Sequence, residues 1–203
     1  MRKWIGVICV ILGVVCILGA IGFAGYNRWE DQHAAEQCQA ILAKLESIMD
    51  GNTTVPEVTE ALPVDPEKPP AEMATVKVDG YDCLGILSIP ALDLELPVLT
   101  QWSYAKLKKA PCHYYGSYYT KDFVIAAHNY RSHFGRLSQL QAGDLVIFTD
   151  ANGADHGYEV VLSETLPSNA TQEMIASGFA LSLYTCTPGG ASRVTVRCNA
   201  IDP

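Results

Sequence analysis

Three residues of types that can catalyse acyl transfer stand at the ends of predicted strands. The apolar run at 180–185 predicts a strand that delivers Cys186, and Arg193 begins the next predicted strand after a Thr-Pro-Gly-Gly turn. A second apolar run, at 123–127, predicts a buried strand that delivers His128. Thiolate is the attacking form of cysteine, and a neighbouring imidazole can take its proton and later protonate a leaving amine. A guanidinium has five donors for a carbonyl or an oxyanion. Together they predict a cysteine acyl-transfer site.

Other assignments compete at each position. A strand cysteine can be a core residue, and His133 is either a pocket residue or, more simply, a solvated loop residue. The two-residue strand period places Arg197 on the face of Arg193 but about 13 Å along it, so Arg193 is preferred. The spacing of His128, His133 and Cys186 matches no common zinc pattern, and no metal is expected.

Several short strands must position these residues. Apolar runs or alternation predict strands at 85–89, 92–96, 145–149, 158–162 and 193–199, besides the two already described. The residues 150–153 have the composition of a hairpin turn. Short helices are predicted at 103–109 and 171–177. Many short strands with few helices indicate a closed or nearly closed barrel.

Four segments, in this order, resemble motifs of sortases, the transpeptidases of Gram-positive cell surfaces. They are 85–90 with 96–98, 125–128, 134–140, and 182–186 with 193–197. Ser-Leu-Tyr-Thr-Cys is similar to the family signature Thr-Leu-x-Thr-Cys, and Ile-Ala-Ala-His to Ile-x-Gly-His. The sequence departs from these signatures at Ala127, where glycine is usual, and at Ser182, where threonine is usual. The resemblance covers roughly residues 81–201.

The resemblance implies a mainly β fold, an eight-stranded sortase-like barrel with short helices. It implies that His128, Cys186 and Arg193 are catalytic, and that no cofactor or metal is needed. Neighbours of the histidine and the cysteine are expected to contact substrate: Ala127, Asn129, Thr185 and Thr187. The segment 163–177 is expected to help build the substrate groove.

The implied activity is cleavage of a C-terminal sorting signal similar to Leu-Pro-x-Thr-Gly (LPXTG) on secreted proteins. The acyl group passes through a thioester at Cys186 to an amine of a lipid-linked cell-wall precursor or of a pilin. Two alternatives stay open. One is a cysteine peptidase that uses water as acceptor, and the other is a non-catalytic surface adhesion domain.

The N-terminal segment predicts a membrane anchor. Residues 5–25 form an apolar, uncharged run long enough to span a bilayer as a helix. Arg2 and Lys3 precede it, so the positive-inside rule places a short tail, 1–4, in the cytoplasm and the remainder outside the cell. A cleaved signal peptide is the alternative.

Two further segments separate this anchor from the expected catalytic domain at 77–203. Residues 26–50 predict a stalk helix with one apolar stripe, Cys38 to Met49, and a pairing helix is the alternative. Residues 51–76 predict a proline-rich spacer. Some pilus-building sortases carry an Asp-Pro-aromatic lid here. Asp65-Pro66 is present but Glu67 follows, so a spacer is preferred.

Composition argues against nucleic acid as a partner, but it does not decide whether any cysteines form a disulfide. The chain has 22 acidic and 14 basic residues, a formal charge of −8, and no basic stripe, which argues against nucleic-acid binding. The seven cysteines show no paired spacing. Cys83, Cys112 and Cys198 are expected to be small buried residues, with a Cys83–Cys112 disulfide as the alternative.

Overall fold

The computed structural model describes residues 2–51 and 72–201. It forms two compact units, Met1–His33 and Ala34–Pro203. A long helix, α1, runs over Arg2–Met49. It is long and apolar enough to cross a membrane, and its most apolar stretch has no buried residues. The helix is therefore a candidate transmembrane span, as the sequence predicted.

The described residues of the second unit form mainly nine strands and two short helices. The strands are β1 Val76–Val78, β2 Tyr81–Ile89, β3 Leu94–Leu99, β4 Cys112–Tyr115, β5 Phe123–Ala126, β6 Leu145–Asp150, β7 Asp155–Pro167, β8 Leu181–Cys186 and β9 Ser192–Ala200. The helices are α2 Tyr104–Leu107 and α3 Thr171–Ile175. Single 3₁₀ turns cover Pro90–Leu92 and Leu137–Gln139.

Eight of these strands close into a barrel, which confirms the predicted fold class. Their order is β2-β3-β4-β5-β8-β9-β7-β6, and β6 pairs back onto β2. β1 is a ninth, short strand that pairs with the first three residues of β2. Two neighbouring pairs are parallel, β3–β4 and β5–β8, and the other pairs of the barrel are antiparallel. The parallel pair β5–β8 matters most, because it aligns two strand ends.

The barrel closes at Gly85. Its φ of 151° is rarely adopted by residues with a side chain, and a Cβ there would collide with the carbonyl oxygen of Thr149 on β6. A glycine lets the two backbones approach where β2 pairs with both β3 and β6. A side chain at this position would push β6 away and open the barrel.

Strands predicted from apolar runs appear at nearly the predicted places. The β6–β7 hairpin turns at the predicted residues. β7 is longer than expected and reaches Pro167, because it stays paired with β9 as far as Ser192. Residues 163–167, at the end of β7, show little alternation of apolar and polar side chains, so only their pairing with β9 reveals that they form a strand.

The last part of α1 belongs to the barrel unit. The side chains of Cys38, Ile41, Leu42 and Leu45 are buried and join the same apolar cluster as the barrel interior. The sequence predicted a polar stalk with an apolar stripe here. The stripe instead packs within the barrel unit. Lys109 Nζ also donates to Gln37 Oε1 at 2.8 Å.

Three barrel cysteines are free and fully buried: Cys83, Cys112 and Cys198. Burial raises the pKa of each thiol to about 12, with nearby Asp82 adding to the effect at Cys83. The alternative Cys83–Cys112 disulfide is not formed. These thiols act as small apolar core groups and are neutral at physiological pH.

Candidate active site

The parallel strands β5 and β8 bring the predicted histidine and cysteine to the same edge of the barrel. Ala126 pairs with Tyr184, and the Ala127 N–H donates to the Tyr184 carbonyl at 3.1 Å. The Thr185 hydroxyl donates to the Ala127 carbonyl at 2.9 Å. His128 and Cys186 each follow the last residue pair of these two strands, Ala126 and Tyr184, by two residues. Neighbouring strands lie about 4.8 Å apart.

The antiparallel strand β9 adds the predicted arginine to this edge. Cys186 and Arg193 are direct cross-strand partners, and both are half-buried. Side chains of directly opposed residues lie on the same face of a sheet. The Arg193 Nη1 group donates to the carbonyls of Gly190 and Ser192, at 3.0 Å each. Nε and Nη2 make no hydrogen bond to the described residues, so they remain available to a ligand.

A tight turn between β8 and β9 sets this arrangement. Gly189 and Gly190 have φ values of 83° and 75°, which glycine adopts without a steric cost. The Thr187 N–H and hydroxyl both donate to the Ser192 carbonyl, at 3.0 and 3.2 Å. The Ser192 N–H donates back to the Thr187 hydroxyl at 3.1 Å. The Thr-Pro-Gly-Gly segment therefore fixes the arginine relative to the cysteine.

The loop after β5 holds the histidine ring. His128 stacks on Tyr130 with ring centroids 4.2 Å apart and planes 8° from parallel. His128 Nδ1 lies 3.2 Å from Asn129 Oδ1. The Phe134 N–H donates to the His128 carbonyl at 3.2 Å, which folds the loop back onto the strand end. These contacts limit the ring to few orientations while the residue stays half-exposed.

His133 was predicted to be a solvated loop residue, and this prediction is wrong. It is fully buried, and its ring packs edge-on against Tyr130 at 5.5 Å. The loop folds tightly enough to enclose it, because the His133 N–H donates to the Tyr130 carbonyl and Phe134 beside it is also buried. The histidine therefore supports the loop that carries His128.

Two recesses meet at Cys186. One, here called the main groove, is bounded by the β3–β4 connection, the β7–β8 connection, Cys186 and Arg193, and has an open volume of about 680 Å³ that includes the solvent at its mouth. The other, here called the side cleft, has an open volume of about 520 Å³ by the same measure. It is lined by the loop after β5, including Asn129 and Phe134, and by the turn after β8. A substrate can therefore approach the thiol from two directions.

The four residues predicted to contact substrate divide between these recesses. Ala127 lines the main groove, while Asn129, Thr185 and Thr187 line the side cleft. The hydroxyls of Thr185 and Thr187 are already hydrogen-bonded within the protein, and Thr185 is buried. Both threonines position the strand ends. Asn129 keeps its amide close to the histidine ring.

The helix α3, which lines the main groove, is held by Arg197, a residue that the sequence analysis did not assign to catalysis. This residue is 2% exposed. It donates to the carbonyls of Glu173 and Met174 in α3, at 2.7 and 3.2 Å, and to Ser182 Oγ at 2.8 Å. Its Nε group donates to the Glu164 carboxylate at 2.8 Å. The arginine thus ties the groove-lining helix to three strands.

Sequence reasoning missed the aromatic side chains of the main groove. They are Trp102, Tyr104, Tyr114 and Tyr184. One signal was available, since Tyr184 stands two residues before Cys186 and so shares its strand face. The other three come from a different part of the chain, and no local pattern connects them to the cysteine.

Comparisons with known proteins agree with this geometry. Residues 87–201 match the model of the sortase domain family. Among solved structures, sortase C1 from Streptococcus suis is 25% identical, with a TM-score of 0.51, over 60% of this chain and 74% of that one. Sortase C1 from Streptococcus agalactiae is 24% identical, with a TM-score of 0.54, over 63% and 72%. Sortase A from Corynebacterium diphtheriae is 17% identical, with a TM-score of 0.53, over 91% and 96%.

A comparison with curated protein sequences gives no match. The likenesses below 25% identity concern the fold, whereas the sortase-domain match covers more than half of the sequence, from the middle of β2 to the end of β9. The chain therefore belongs to the sortase family, whose members are cysteine transpeptidases.

Proposed function

We propose that this sortase cleaves an LPXTG-like sorting signal with Cys186 as nucleophile, His128 as proton carrier and Arg193 as the group that holds the reacting carbonyl. The observation that carries the proposal is the position of Cys186. Its half-buried thiol lies where the main groove and the side cleft meet, with Arg193 directly opposite on β9. The other cysteines of the barrel are fully buried.

In the first step the peptide carbonyl that follows the threonine lies against Cys186. The thiolate attacks the carbonyl carbon, and the resulting oxyanion accepts hydrogen bonds from the free donors of Arg193. The carbon–nitrogen bond then breaks. The departing amine takes a proton from the imidazolium of His128, which leaves a thioester on Cys186 and a neutral imidazole.

In the second step an amine attacks the thioester. Neutral His128 accepts a proton from this amine as the new carbon–nitrogen bond forms. The carbon–sulfur bond breaks, and Cys186 leaves as thiolate beside the imidazolium, the state in which the cycle began. Water in place of the amine gives a free carboxylate by the same route, and the enzyme then acts as a peptidase.

The proposed substrates are secreted proteins with a C-terminal sorting signal, and the proposed acceptor is an amine of a lipid-linked wall precursor or of a pilin. The candidate membrane span supports a location at the membrane. We propose that the barrel lies outside the cell, since basic residues precede the apolar run. An anchor there keeps the enzyme close to emerging proteins and to lipid-linked amines.

The test uses the full chain in detergent with a panel of sorting peptides, with and without triglycine. Mass spectrometry is expected to find an acyl adduct on Cys186 and, with triglycine, a ligated peptide. Cys186→Ala is expected to lose both products, while Cys198→Ala keeps them. A wild-type enzyme that forms no adduct with any peptide contradicts the proposal.

The same experiment separates the alternatives. Product formation that does not depend on an amine indicates a peptidase. A Cys186 thiol that resists small alkylating agents at neutral pH indicates a non-catalytic domain, because no imidazole then activates it.

A further inference from the structure

Four aromatic rings form a continuous row along the main groove, here called the aromatic row. From the surface inward they are Tyr104, Trp102, Tyr114 and Tyr184. Successive ring centroids are 5.6, 5.8 and 5.3 Å apart, and the first and last contacts are edge-to-face. Tyr184 precedes Cys186 by two residues on the same strand face. The row therefore leads from solvent to the reactive thiol.

The outer rings are held in place by the backbone. The Trp102 N–H donates to the His113 carbonyl at 3.1 Å, which ties Trp102 to β4 beside Tyr114. Between the two outer rings, Ser103 caps α2 by accepting a hydrogen bond from the Lys106 N–H at 3.2 Å. The rings are thus already arranged before a ligand arrives, which lowers the entropic cost of binding.

The outer pair is strongly exposed. Tyr104 is 79% and Trp102 41% exposed, although both are large and partly apolar. A contiguous exposed aromatic surface beside a reactive group is typical of a binding site, because tyrosine and tryptophan combine apolar area with a polar edge. The inner end is drier. Burial raises the pKa of the Tyr184 phenol, and Tyr114 adds to this effect.

The charge of the groove indicates what kind of side chain the row accepts. Among the described residues that line the main groove, the only charged one is Arg193, and none is a carboxylate. Aromatic faces attract ammonium groups, but the described lining of this groove has no carboxylate to pair with one, and the guanidinium at its inner end opposes a cation that reaches Cys186. An uncharged apolar side chain fits this lining best, so the acceptor amine is expected to use a different route.

The two recesses suggest which half of the peptide lies along the row. His128 protonates the leaving amine in the proposed mechanism. It begins the loop whose residues Asn129, Phe134, Gly135 and Ser138 line the side cleft, whereas Ala127, the residue before it, belongs to the strand end that lines the main groove. The leaving half of the peptide and the incoming amine therefore belong on the side of the cleft. The acyl half, which stays on Cys186, belongs in the main groove.

Length then places the outer rings beyond the pentapeptide. Each step of the row is between 5 and 6 Å, nearly two residues of an extended chain at about 3.3 Å per residue. A peptide whose last acyl residues pass Tyr184 therefore reaches Trp102 and Tyr104 about four to six residues before the broken bond. A sorting pentapeptide has only four residues on that side.

We propose that Trp102 and Tyr104 form a subsite for an uncharged apolar side chain located just upstream of the sorting pentapeptide. This inference rests on the proposed function and extends it, since it makes the upstream sequence of the protein substrate part of recognition. The inner rings Tyr114 and Tyr184 guide the backbone toward Cys186.

The kinetic test uses peptides that keep the sorting pentapeptide and differ only at the positions five and six residues before the broken bond, with phenylalanine, alanine, lysine or glutamate there. We expect wild-type kcat/KM to be about three- to tenfold higher with phenylalanine than with alanine, the range of one aromatic contact. Trp102→Ala and Tyr104→Ala are expected to remove this preference, so that the kcat/KM values of the phenylalanine and alanine peptides converge in each variant.

Tyr115→Ala is the matched control. Tyr115 is adjacent to Tyr114 on β4 and 42% exposed but does not line the main groove, so its removal should leave the preference intact. Alkylation of Cys186 by iodoacetamide checks that each variant keeps its site. Tyr104→Ala can decide alone if Trp102→Ala does not fold, because Tyr104 is a largely exposed residue.

Binding can be measured without catalysis. The chain has three tryptophans, and Trp4→Phe with Trp29→Phe leaves Trp102 as the only one. In that background with Cys186→Ala, the phenylalanine peptide should shift or quench Trp102 fluorescence at lower concentration than the alanine peptide does.

Each outcome has a distinct meaning. Adducts that form with no upstream preference, or with one that survives Trp102→Ala and Tyr104→Ala, overturn this inference and leave the proposed function standing. A preference for lysine that the variants remove replaces the apolar occupant with an ammonium group and also overturns it. If deletion of residues 56–70 changes Trp102 fluorescence in the absence of any peptide, the aromatic row is assigned to the chain's own linker, and the inference is overturned. No adduct with any peptide removes the proposed function and this inference together.

Discussion

The two ends of the β8–β9 ladder carry the same pair of residue types in opposite environments. At one end Cys186 and Arg193 are half-buried partners, and Arg193 has donors free for a ligand. At the other end Cys198 and Arg197 are fully enclosed, and Arg197 makes four hydrogen bonds within the protein. The difference shows that chemistry depends on access and on unused donors, and that residue type alone does not indicate it.

The closed end also serves the open one. Arg197 anchors the backbone of α3, and that helix lines the main groove next to Cys186. A rigid, fully hydrogen-bonded end therefore shapes the groove in which the exposed end is proposed to act. The following predictions test how far the two ends can be separated.

The largest contrast concerns the thiols. Cys186 is expected to react with iodoacetamide in the folded protein at neutral pH. Cys198 should react only after unfolding, and therefore at least about 10³-fold more slowly, given a typical free energy of unfolding. Peptide mapping by mass spectrometry gives both rates in one sample. In urea the two rates should converge. Equal rates in the folded protein would remove the contrast between the two ends.

Removal of Arg193 should affect catalysis and leave stability nearly unchanged. We expect Arg193→Ala to lower kcat/KM by about 10²–10³-fold, the effect of losing one oxyanion donor, and to change the free energy of unfolding by less than about 0.5 kcal/mol. Peptide kinetics and urea unfolding measure the two quantities. Arg193→Lys keeps the charge but loses the planar donor group, so its kcat/KM should lie between the values of wild type and Arg193→Ala. Full activity in Arg193→Ala would show that the open end needs no guanidinium.

Removal of Arg197 should have the reverse effect. We expect Arg197→Met to lower the free energy of unfolding by about 2–3 kcal/mol, because it breaks a buried ion pair and leaves three acceptors without their donor. The value is below the usual range for a fully buried pair, since Glu164 is itself 38% exposed and can be solvated. Urea unfolding measures it, and Cys186 alkylation in the folded fraction should stay close to wild type. Unchanged stability would mean that α3 is held by other contacts.

A smaller effect is expected at Ser182, where sortases usually carry threonine. Ser182 Oγ accepts a hydrogen bond from the Arg197 guanidinium at 2.8 Å. Ser182→Ala should cost about 1.5 kcal/mol of stability, as hydrogen bonds to charged groups do, while Ser182→Thr keeps the acceptor and should cost under about 0.5 kcal/mol. Thermal unfolding of the two variants side by side gives the comparison. Equal losses would point to packing instead of the hydroxyl.

The buried thiol also predicts a pH dependence. The pKa of Cys198 rises from 9.0 to about 12 on folding because the thiol is buried. Between these values the unfolded chain loses this proton and the folded chain keeps it, so the stability present below pH 9 falls as pH rises toward 12. The contribution is about 1 kcal/mol between pH 9 and 10. Cys198→Ala should therefore show a shallower loss of stability there. An unchanged slope would mean that the thiol ionises in the folded state.

The local patterns predicted the elements near the site and the type of fold. Continuous apolar runs indicated β5 and β8, and a turn signal indicated the β6–β7 hairpin, because these features depend on neighbours in the sequence. The motif resemblance supplied the eight-stranded barrel, since composition and periodicity alone indicate only a closed or nearly closed barrel. Strand order and the parallel pairing of β5 with β8 were not readable locally, because a strand's partner is set by long-range packing.

Two misjudged features show the same limit. The apolar stripe of α1 was visible, but its partner was not, so a helix that packs within the barrel unit was interpreted as a stalk. His133 has the surroundings of a loop residue in sequence, yet the loop folds over it. Periodicity and composition report which side of an element is apolar. They do not report which other element covers it.

The sequence by itself determined which groups are available: a thiol, an imidazole and a guanidinium at three strand ends, and an apolar N-terminal helix. Only the tertiary structure decided that Cys186 and Arg193 oppose each other, that Arg197 is used internally, and that four aromatic rings from residues 102 to 184 line one groove. The reason is physical. Side-chain types and short-range periodicity are properties of the chain, whereas access, unused hydrogen-bond donors and shared surfaces arise only when distant segments pack together.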